Sequence, residues 1–216
     1  MELERVDTQR AYELIRHKIT TLELPPGAPI NEQQLAKELG LGMAPVREAL
    51  KLLAHDDLVV ITPRHGLYVA EVNLADLQQL SEMRLVLETQ SARLAAQRAS
   101  ADELAVLEAL RQEQAATPVK DRRRLFDLDR KFHQAIARAA HNHYLARTLD
   151  HLFGLTQRLW YLQLPHLDLL PSAVEKHVEL VAAIKARDGE RAASLMHDHV
   201  QQFYDHVMET LQPNGQ

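Results

Sequence analysis

The stretch Asn31–Leu50, NEQQLAKELGLGMAPVREAL, constrains the fold more than any other part of the chain. It divides into two short helical patterns about a glycine-containing break. Leu35, Ala36 and Leu39 stand at i, i+1 and i+4 and form one apolar stripe. Val46, Ala49, Leu50 and Leu53 recur at i, i+3, i+4 and i+7, the period of an amphipathic helix. Gly40 and Gly42 permit a tight turn, and Pro45 suits a first helical turn, where its missing N–H costs nothing. Helices this short are marginal alone, so the pair must pack across the turn, as in a helix-turn-helix. Arg47, Glu48 and Lys51 lie off the second stripe and are free to reach a groove. An ordinary helical hairpin satisfies the same spacing, so spacing alone leaves both readings open.

The next residues favour a nucleic-acid reader. Leu58–Val59–Val60–Ile61–Thr62 is a β-branched run, Pro63–Arg64–His65–Gly66 carries turn residues, and Leu67–Tyr68–Val69–Ala70 reads as a second strand. Such a hairpin forms the wing of a winged helix. Its tip presents Arg64 and His65 beside Gly66, whose missing side chain lets the backbone approach a phosphate or the minor groove. A preceding helix over 8–23, with Ala11, Leu14, Ile15, Lys18 and Ile19 along one side, completes the unit. Charge argues against bulk attraction to DNA: the chain carries a net −5, and residues 1–72 hold 8 Lys/Arg against 11 Asp/Glu, or 8 − 11 = −3. Affinity must come from a local basic face of Arg10, Arg16, Lys37, Arg47, Lys51 and Arg64.

A resemblance fits this pattern. Tyr12-Glu-Leu-Ile-Arg16, Leu24-Pro-Pro-Gly27, Leu35-Ala36, Leu39-Gly40 and above all Pro45-Val-Arg-Glu-Ala-Leu50 resemble the winged-helix domain of GntR-family bacterial transcription regulators, over about residues 8–71. The resemblance implies binding to double-stranded DNA through Gln33, Met43, Arg47, Lys51, Arg64, His65 and Gly66. Members commonly carry Ser-Arg where this chain has Gly42-Met43, and a basic residue near Gln33. Arg47 and the Arg64–His65 wing therefore carry more of the expected recognition.

Beyond residue 72 the pattern is helical throughout. Asn73 can cap a long helix with Leu77, Leu80, Met83, Leu87, Ala92 and Leu94–Ala95 as its apolar face. Ser100-Ala-Asp-Glu103 is a capping box opening a helix that runs to about Ala116, before Thr117–Pro118. Further helices are expected over about 119–140 and 144–161, then a loop from Leu164–Pro165 to Leu170–Pro171. A second capping box, Ser172-Ala-Val-Glu175, starts a helix ending at Asp188–Gly189, and the last covers about 190–211, with 212–216 frayed. The fold is thus expected to be mainly α: a winged helix-turn-helix over 1–72 and an all-helical bundle of about six helices over 73–216. No run approaches the ~18 apolar residues of a membrane span. The charged N-terminus is not a secretory signal, and the absence of cysteine fits a cytoplasmic protein.

Nine of the 12 histidines lie after residue 130, and some share faces with core residues. Asp129 and His133, i and i+4 on one helix, continue a face through Leu125, Ile136 and Ala140. His177 precedes Val181 and Ile184 by one and two turns. His199 lies between Leu195–Met196 and Phe203. An unpartnered buried polar group costs several kcal/mol, so these need mutual partners. One carboxylate and three imidazoles would satisfy one another around a divalent cation such as Zn²⁺, Ni²⁺ or Mn²⁺. Separate Asp–His hydrogen bonds and solvated histidines are the alternative.

Met83-Arg-Leu-Val-Leu-Glu88, Phe126-Asp-Leu-Asp-Arg-Lys-Phe-His133, Ala140-His-Asn142, Glu175-Lys-His177, Ala183-Ile184 and Met196-His-Asp-His199 are similar to the effector domain of the FadR-type GntR subfamily, the FCD domain, over about 74–208. That resemblance implies a metal held by Asp129, His133, His177 and His199, and a small carboxylate effector completing its shell. It places Arg84 on the effector, with Asn142 and Arg158 as further candidate contacts. For Arg84 an exposed i, i+4 salt bridge with Glu88, ~0.3–0.5 kcal/mol, is the plainer role. The expected function is a ligand-responsive transcriptional regulator, a repressor, binding an inverted-repeat operator as a homodimer with half-sites ~34 Å apart. A metal-dependent hydrolase and a constitutive repressor with a purely structural metal are the competing functions.

Overall fold

The computed structural model describes residues 2–163 and 170–211, without the side chains of 2–5, 74–75, 163, 170–174 and 210–211. The helix-turn-helix forms where expected. Helix α1 (Glu2–Thr20) buries Ala11, Ile15 and Ile19 on one stripe, while Leu14 stays 38% exposed. It begins six residues before the expected start, in a segment rich in the strong helix formers Glu, Leu and Arg. Helix α2 (Glu32–Leu39) opens on Asn31, whose side chain accepts from the Gln34 N–H. It closes on Gly40 at φ 64°, with the Leu41 N–H returning to the Ala36 carbonyl. Helix α3 (Met43–His55) buries Val46, Ala49, Leu50 and Leu53, so the second stripe faces the core as its period requires.

Strands β2 (Val59–Thr62) and β3 (Gly66–Val69) pair antiparallel as the wing, with Arg64 at φ 65° and Gly66 at φ 110° in the turn. The strand β1 (Pro29–Ile30) joins the far edge of β3, giving the order β1-β3-β2. At two residues, β1 has no sequence period to read. The core of this part gathers Ile15, Ile19, Leu35, Leu50, Leu53, Leu58 and Val69.

Among the described residues six helices follow: α4 (Leu74–Arg98), α5 (Ala101–Ala116), α6 (Arg122–Ala139), α7 (His143–Gln163), α8 (Leu170–Lys185) and α9 (Gly189–Leu211). The Ser100–Glu103 capping box forms with both of its bonds. Helix α6 starts at Arg122, three residues later than expected, because the Asp121 side chain caps the Arg124 N–H. Helix α8 starts at Leu170, two residues before the expected box at Ser172. Pro171 then falls in the first turn, where no N–H is needed. The Ser172 side chain, residues 164–169 and the 212–216 tail lie outside the described residues.

The inner face of α4 departs from expectation. Met83 is 50% exposed, and beside Leu77, Ala92 and Ala95 the buried residues include Ser81, Arg84, Glu88 and Ser91. Arg84 and Glu88 are drawn in because they pair with each other and Glu88 reaches His133 inside the bundle. The apolar core that α4 does join contains Phe132, Ile136, Leu180, Val181, Ile184, Met196 and Val200. The chain forms two compact units, Met1–Ala75 with Gly154–Leu162, and Asp76–Phe153 with Gln163–Gln216. Gly154–Leu162 is a distant stretch that a contiguous division at residue 72 does not capture. Among the described residues no helix is long and apolar enough to cross a membrane.

Candidate metal centre and DNA-reading face

Three helices of the second unit aim four side chains at one point. Asp129 and His133 come from successive turns of α6, His177 from α8 and His199 from α9, and their ligand atoms all lie within 4.8 Å of one another. His177 is fully buried, and His133 and His199 are 3% and 5% exposed. The His199 Nε2 stands 3.0 Å from the His133 Nε2 and 3.3 Å from the His177 Nε2. The Asp129 Oδ1 lies 3.5 Å from the His177 Nε2 and 3.8 Å from the His133 Nε2.

The outer nitrogens are held by residues that the sequence did not single out as site members. The His133 Nδ1 bonds the Glu88 carboxylate, and the His177 Nδ1 lies 2.9 Å from the Gln114 Oε1. Both oxygens can only accept, so each Nδ1 is assigned the hydrogen and each Nε2 presents a lone pair inward. A single proton on His199 could serve one of its two nitrogen contacts and would leave lone pairs opposed at the other. A shared cation removes that conflict. Nitrogens held ~2.0–2.1 Å from one ion stand about 2.9–3.4 Å apart, which brackets both observed spacings. The donor set therefore fits a divalent ion.

Packing fixes the rings further. Phe132 stacks on His177 at 4.1 Å, and Phe153 meets His133 edge-on at 6.0 Å. Phe153 also lies under the Arg84 guanidinium, 4.9 Å from its centroid. Arg84 binds the Glu88 Oε1 through Nε at 2.8 Å and Nη2 at 2.7 Å, both partners being buried. The exposed, weak salt bridge considered for this pair is thus a buried one linked to the histidines.

Electrostatics follow from burial and these partners. Burial pushes the Glu88 carboxyl up, but Arg84 and His133 outweigh it and hold it down at about 2. Burial also raises Asp129, against the pull of His133 and Arg84. His133 is raised, since Glu88 and Asp129 overcome its desolvation. Burial, with His133 beside it, brings His199 down to about 3. His177 falls well below the ordinary imidazole value, through burial and the neighbouring His199 and His133. Two neutral imidazoles and an ionised carboxylate beside Arg84 are states that metal binding requires or tolerates.

The remaining expected site residues are placed as follows. The Asn142 Oδ1 caps α7 by accepting from the Leu145 N–H. Arg158, buried in the first unit, donates from Nη1 to the Ala70 carbonyl at 2.8 Å. On the winged helix, Gln33, Arg47, Lys51, Arg64, His65 and Gly66 are exposed, while Met43 packs partly against the core. Arg47 forks onto Glu32 through Nε at 3.2 Å and Nη2 at 3.1 Å, and Lys51 pairs with Glu48 at 2.7 Å. Glu88 and Gln114 were legible only as polar residues at core spacing, Gln114 being seven residues after the buried Leu107. Their histidine partners lie 45 and 63 residues away.

A winged helix-turn-helix followed by an all-helical unit with a buried Asp/His cluster defines a class of DNA-binding regulator. Residues 7–69 match the model of bacterial regulatory proteins of the gntR family, and residues 79–202 match the FCD domain. The chain belongs to the GntR family of transcriptional regulators with a C-terminal FCD domain. It is similar to the HTH-type transcriptional repressor RspR of Escherichia coli, 28% identical over 96% of this chain and 91% of that protein. It is 32% identical to a regulator in an unstable DNA locus of Streptomyces ambofaciens, over 94% of this chain and 86% of that one. The solved structure of Escherichia coli McbR/YncC shares the fold, with a TM-score of 0.82 and 23% identity over 95% of this chain and 98% of that chain.

Proposed function

We propose that the protein is a metal-dependent, ligand-responsive repressor whose DNA affinity is set by a small carboxylate bound at the four-residue cluster. The observation that carries this reading is the convergence of three imidazole lone pairs and one carboxylate in the interior of a bundle that belongs to a regulator. Relatives described as repressors support the sign of regulation. Asp129, His133, His177 and His199 would hold a divalent ion, with Zn²⁺, Ni²⁺ or Mn²⁺ suited to three nitrogens and an oxygen. When bound, the ion supplies a Lewis-acidic anchor for the acid. Glu88 and Gln114 hold two imidazoles in the metal-facing tautomer, and Arg84 lies next to the cluster to meet the acid's charge. Of the three expected effector contacts, Arg84 is the one whose surroundings support that role.

On the DNA side, two copies would present their α3 helices to an inverted repeat in the cytoplasm. Arg47 would leave Glu32 for a base edge or phosphate, and the Arg64–His65 tip would meet the backbone. Glu32 opposes non-specific binding by occupying Arg47 until a better anion is offered. The acid can shift the DNA equilibrium only by its differential affinity for the two states of the protein. Elemental analysis of the purified protein, beside a His177→Ala/His199→Ala variant, tests the site. Stoichiometric metal in the parent and none in the variant is expected, and metal retained by the folded variant would refute the assignment. A metal that acid titration never couples to operator release would leave only a constitutive repressor with a structural ion.

A further inference from the structure

Within the first unit, the Gly154–Leu162 segment of α7 packs as part of the winged helix. Leu155 lies against its apolar core. Gly154 lets the helix approach α1 closely, since a Cβ built there would stand 3.1 Å from the Arg16 Nη2 and 3.3 Å from its Nε. One turn later, Arg158 is 4% exposed. Its Nη1 donates to the Ala70 carbonyl at 2.8 Å, and its Nε has no hydrogen-bond partner. The exposed Asp57 carboxylate, in the turn after α3, supports the guanidinium charge against its burial. An apolar side chain would fill the same space at less cost, so packing alone does not call for arginine here.

Arg158 closes a chain of hydrogen bonds that joins the two DNA-reading elements. The Leu58 N–H donates at 2.9 Å to the carbonyl of Leu53, in the last turn of α3. The Ala70 N–H donates to the Leu58 carbonyl at 3.0 Å. The Ala70 carbonyl, one residue past the end of β3, then accepts from Arg158. Both backbone groups of Ala70 are therefore held at the point where the wing leaves the core. His65, at the wing tip, lies five residues from Ala70, ~17 Å along an extended strand. A tilt of ~10° at Ala70 would carry the tip about 3 Å, enough to break a hydrogen bond to a phosphate.

We infer that Arg158 is a positioning residue for DNA reading: it locks the base of the wing to the end of α3 and so sets where Arg64 and His65 meet the duplex. This rests on the proposed contacts of α3 and the wing tip with DNA, and it gives the DNA side a residue from outside the contiguous winged helix. Arg158 is buried and touches no DNA itself, so its effect passes wholly through the direction of the wing. The side chain expected at the effector thus serves the reader instead.

The test uses the full-length protein and the duplex that it enriches from a random library, with affinity read by fluorescence anisotropy across a salt series. Arg158→Met removes the guanidinium and keeps an apolar chain in its place. Its circular-dichroism spectrum should match the parent's, while binding weakens about tenfold and the salt slope becomes shallower by ~1. Arg64→Ala should cost the parent about tenfold but the Arg158→Met protein less than about twofold, because a misplaced tip has little contact left to lose. That coupling separates wing placement from a general loss of stability, which would leave the two effects additive. Arg158→Gln takes the same measurements should the Met variant fail to fold. A folded variant with the parent's affinity would overturn the inference, as would Arg64→Ala losses of equal size in both backgrounds. In either case a loss on Arg64→Ala in the parent leaves the wing contact standing. No loss in the parent removes the wing contact and the inference with it.

Discussion

Glu88 is the residue that ties the Asp/His cluster to the bundle's buried charge. It neutralises Arg84 and orients His133 at once, with all three groups out of water. Glu88→Gln keeps the shape and an acceptor for His133 but leaves the Arg84 guanidinium buried without its counter-charge. We expect a loss on the order of 3–5 kcal/mol by urea unfolding and metal affinity lowered ~10–100-fold. Stability within 1 kcal/mol of the parent would show that Arg84 finds another anion. Arg47 stands at the other extreme, with its fork onto Glu32 in solvent. Surface pairs contribute ~0–1 kcal/mol, so Arg47→Ala should leave the melting temperature nearly unchanged while operator affinity in a mobility-shift assay falls at least tenfold. Unchanged affinity would remove Arg47 from the reading face.

Among the elements, the turn between α2 and α3 decides whether α3 can present its outer face at all. Gly40 sits at φ 64° and receives no contact within 4 Å of a built Cβ, so space is ample and only the backbone conformation is demanding. Gly40→Ala should therefore cost ~1–2 kcal/mol through the left-handed conformation and nothing through clashes. Gly40→Asn should recover part of this, and equal stability of both variants would show that the turn had shifted. Helix α4 teaches a different lesson. Its apolar residues suggested an inner face through Met83, yet the face turned inward carries Arg84 and Glu88. Periodicity weighs hydrophobicity, and a face that buries an ion pair against a ligand cluster looks like solvent to it.

For the whole molecule, the question is how far an ion bound at the proposed site would hold the bundle together. Asp129, His133, His177 and His199 draw α6, α8 and α9 to one point, so binding energy at that point is also folding energy. An ion present at a thousand times its Kd stabilises by ~4.1 kcal/mol, on the order of 10 °C for a domain of this size. A chelator should lower the calorimetric Tm of the parent by that amount and leave the His177→Ala/His199→Ala variant where it is. Equal shifts in both would place the stabilising ion elsewhere.

What the sequence determined by itself is local: the two stripes and glycine break of the helix-turn-helix, the capping box at Ser100, the alternation of wing strands and turn, and the Asp129–His133 pair one turn apart. Each is a short-range pattern whose period is set by backbone geometry. Core-facing spacing already groups His177 and His199 with that pair as candidate ligands, and the family resemblance adds weight to a single shared site. Only the tertiary structure decided that Glu88 and Gln114 hold the outer nitrogens, that Arg84 is buried in an ion pair, that Gly154–Leu162 belongs to the first unit, and that β1 exists. Those are contacts between residues tens of positions apart, chosen by which faces can pack together, and no spacing along the chain encodes them.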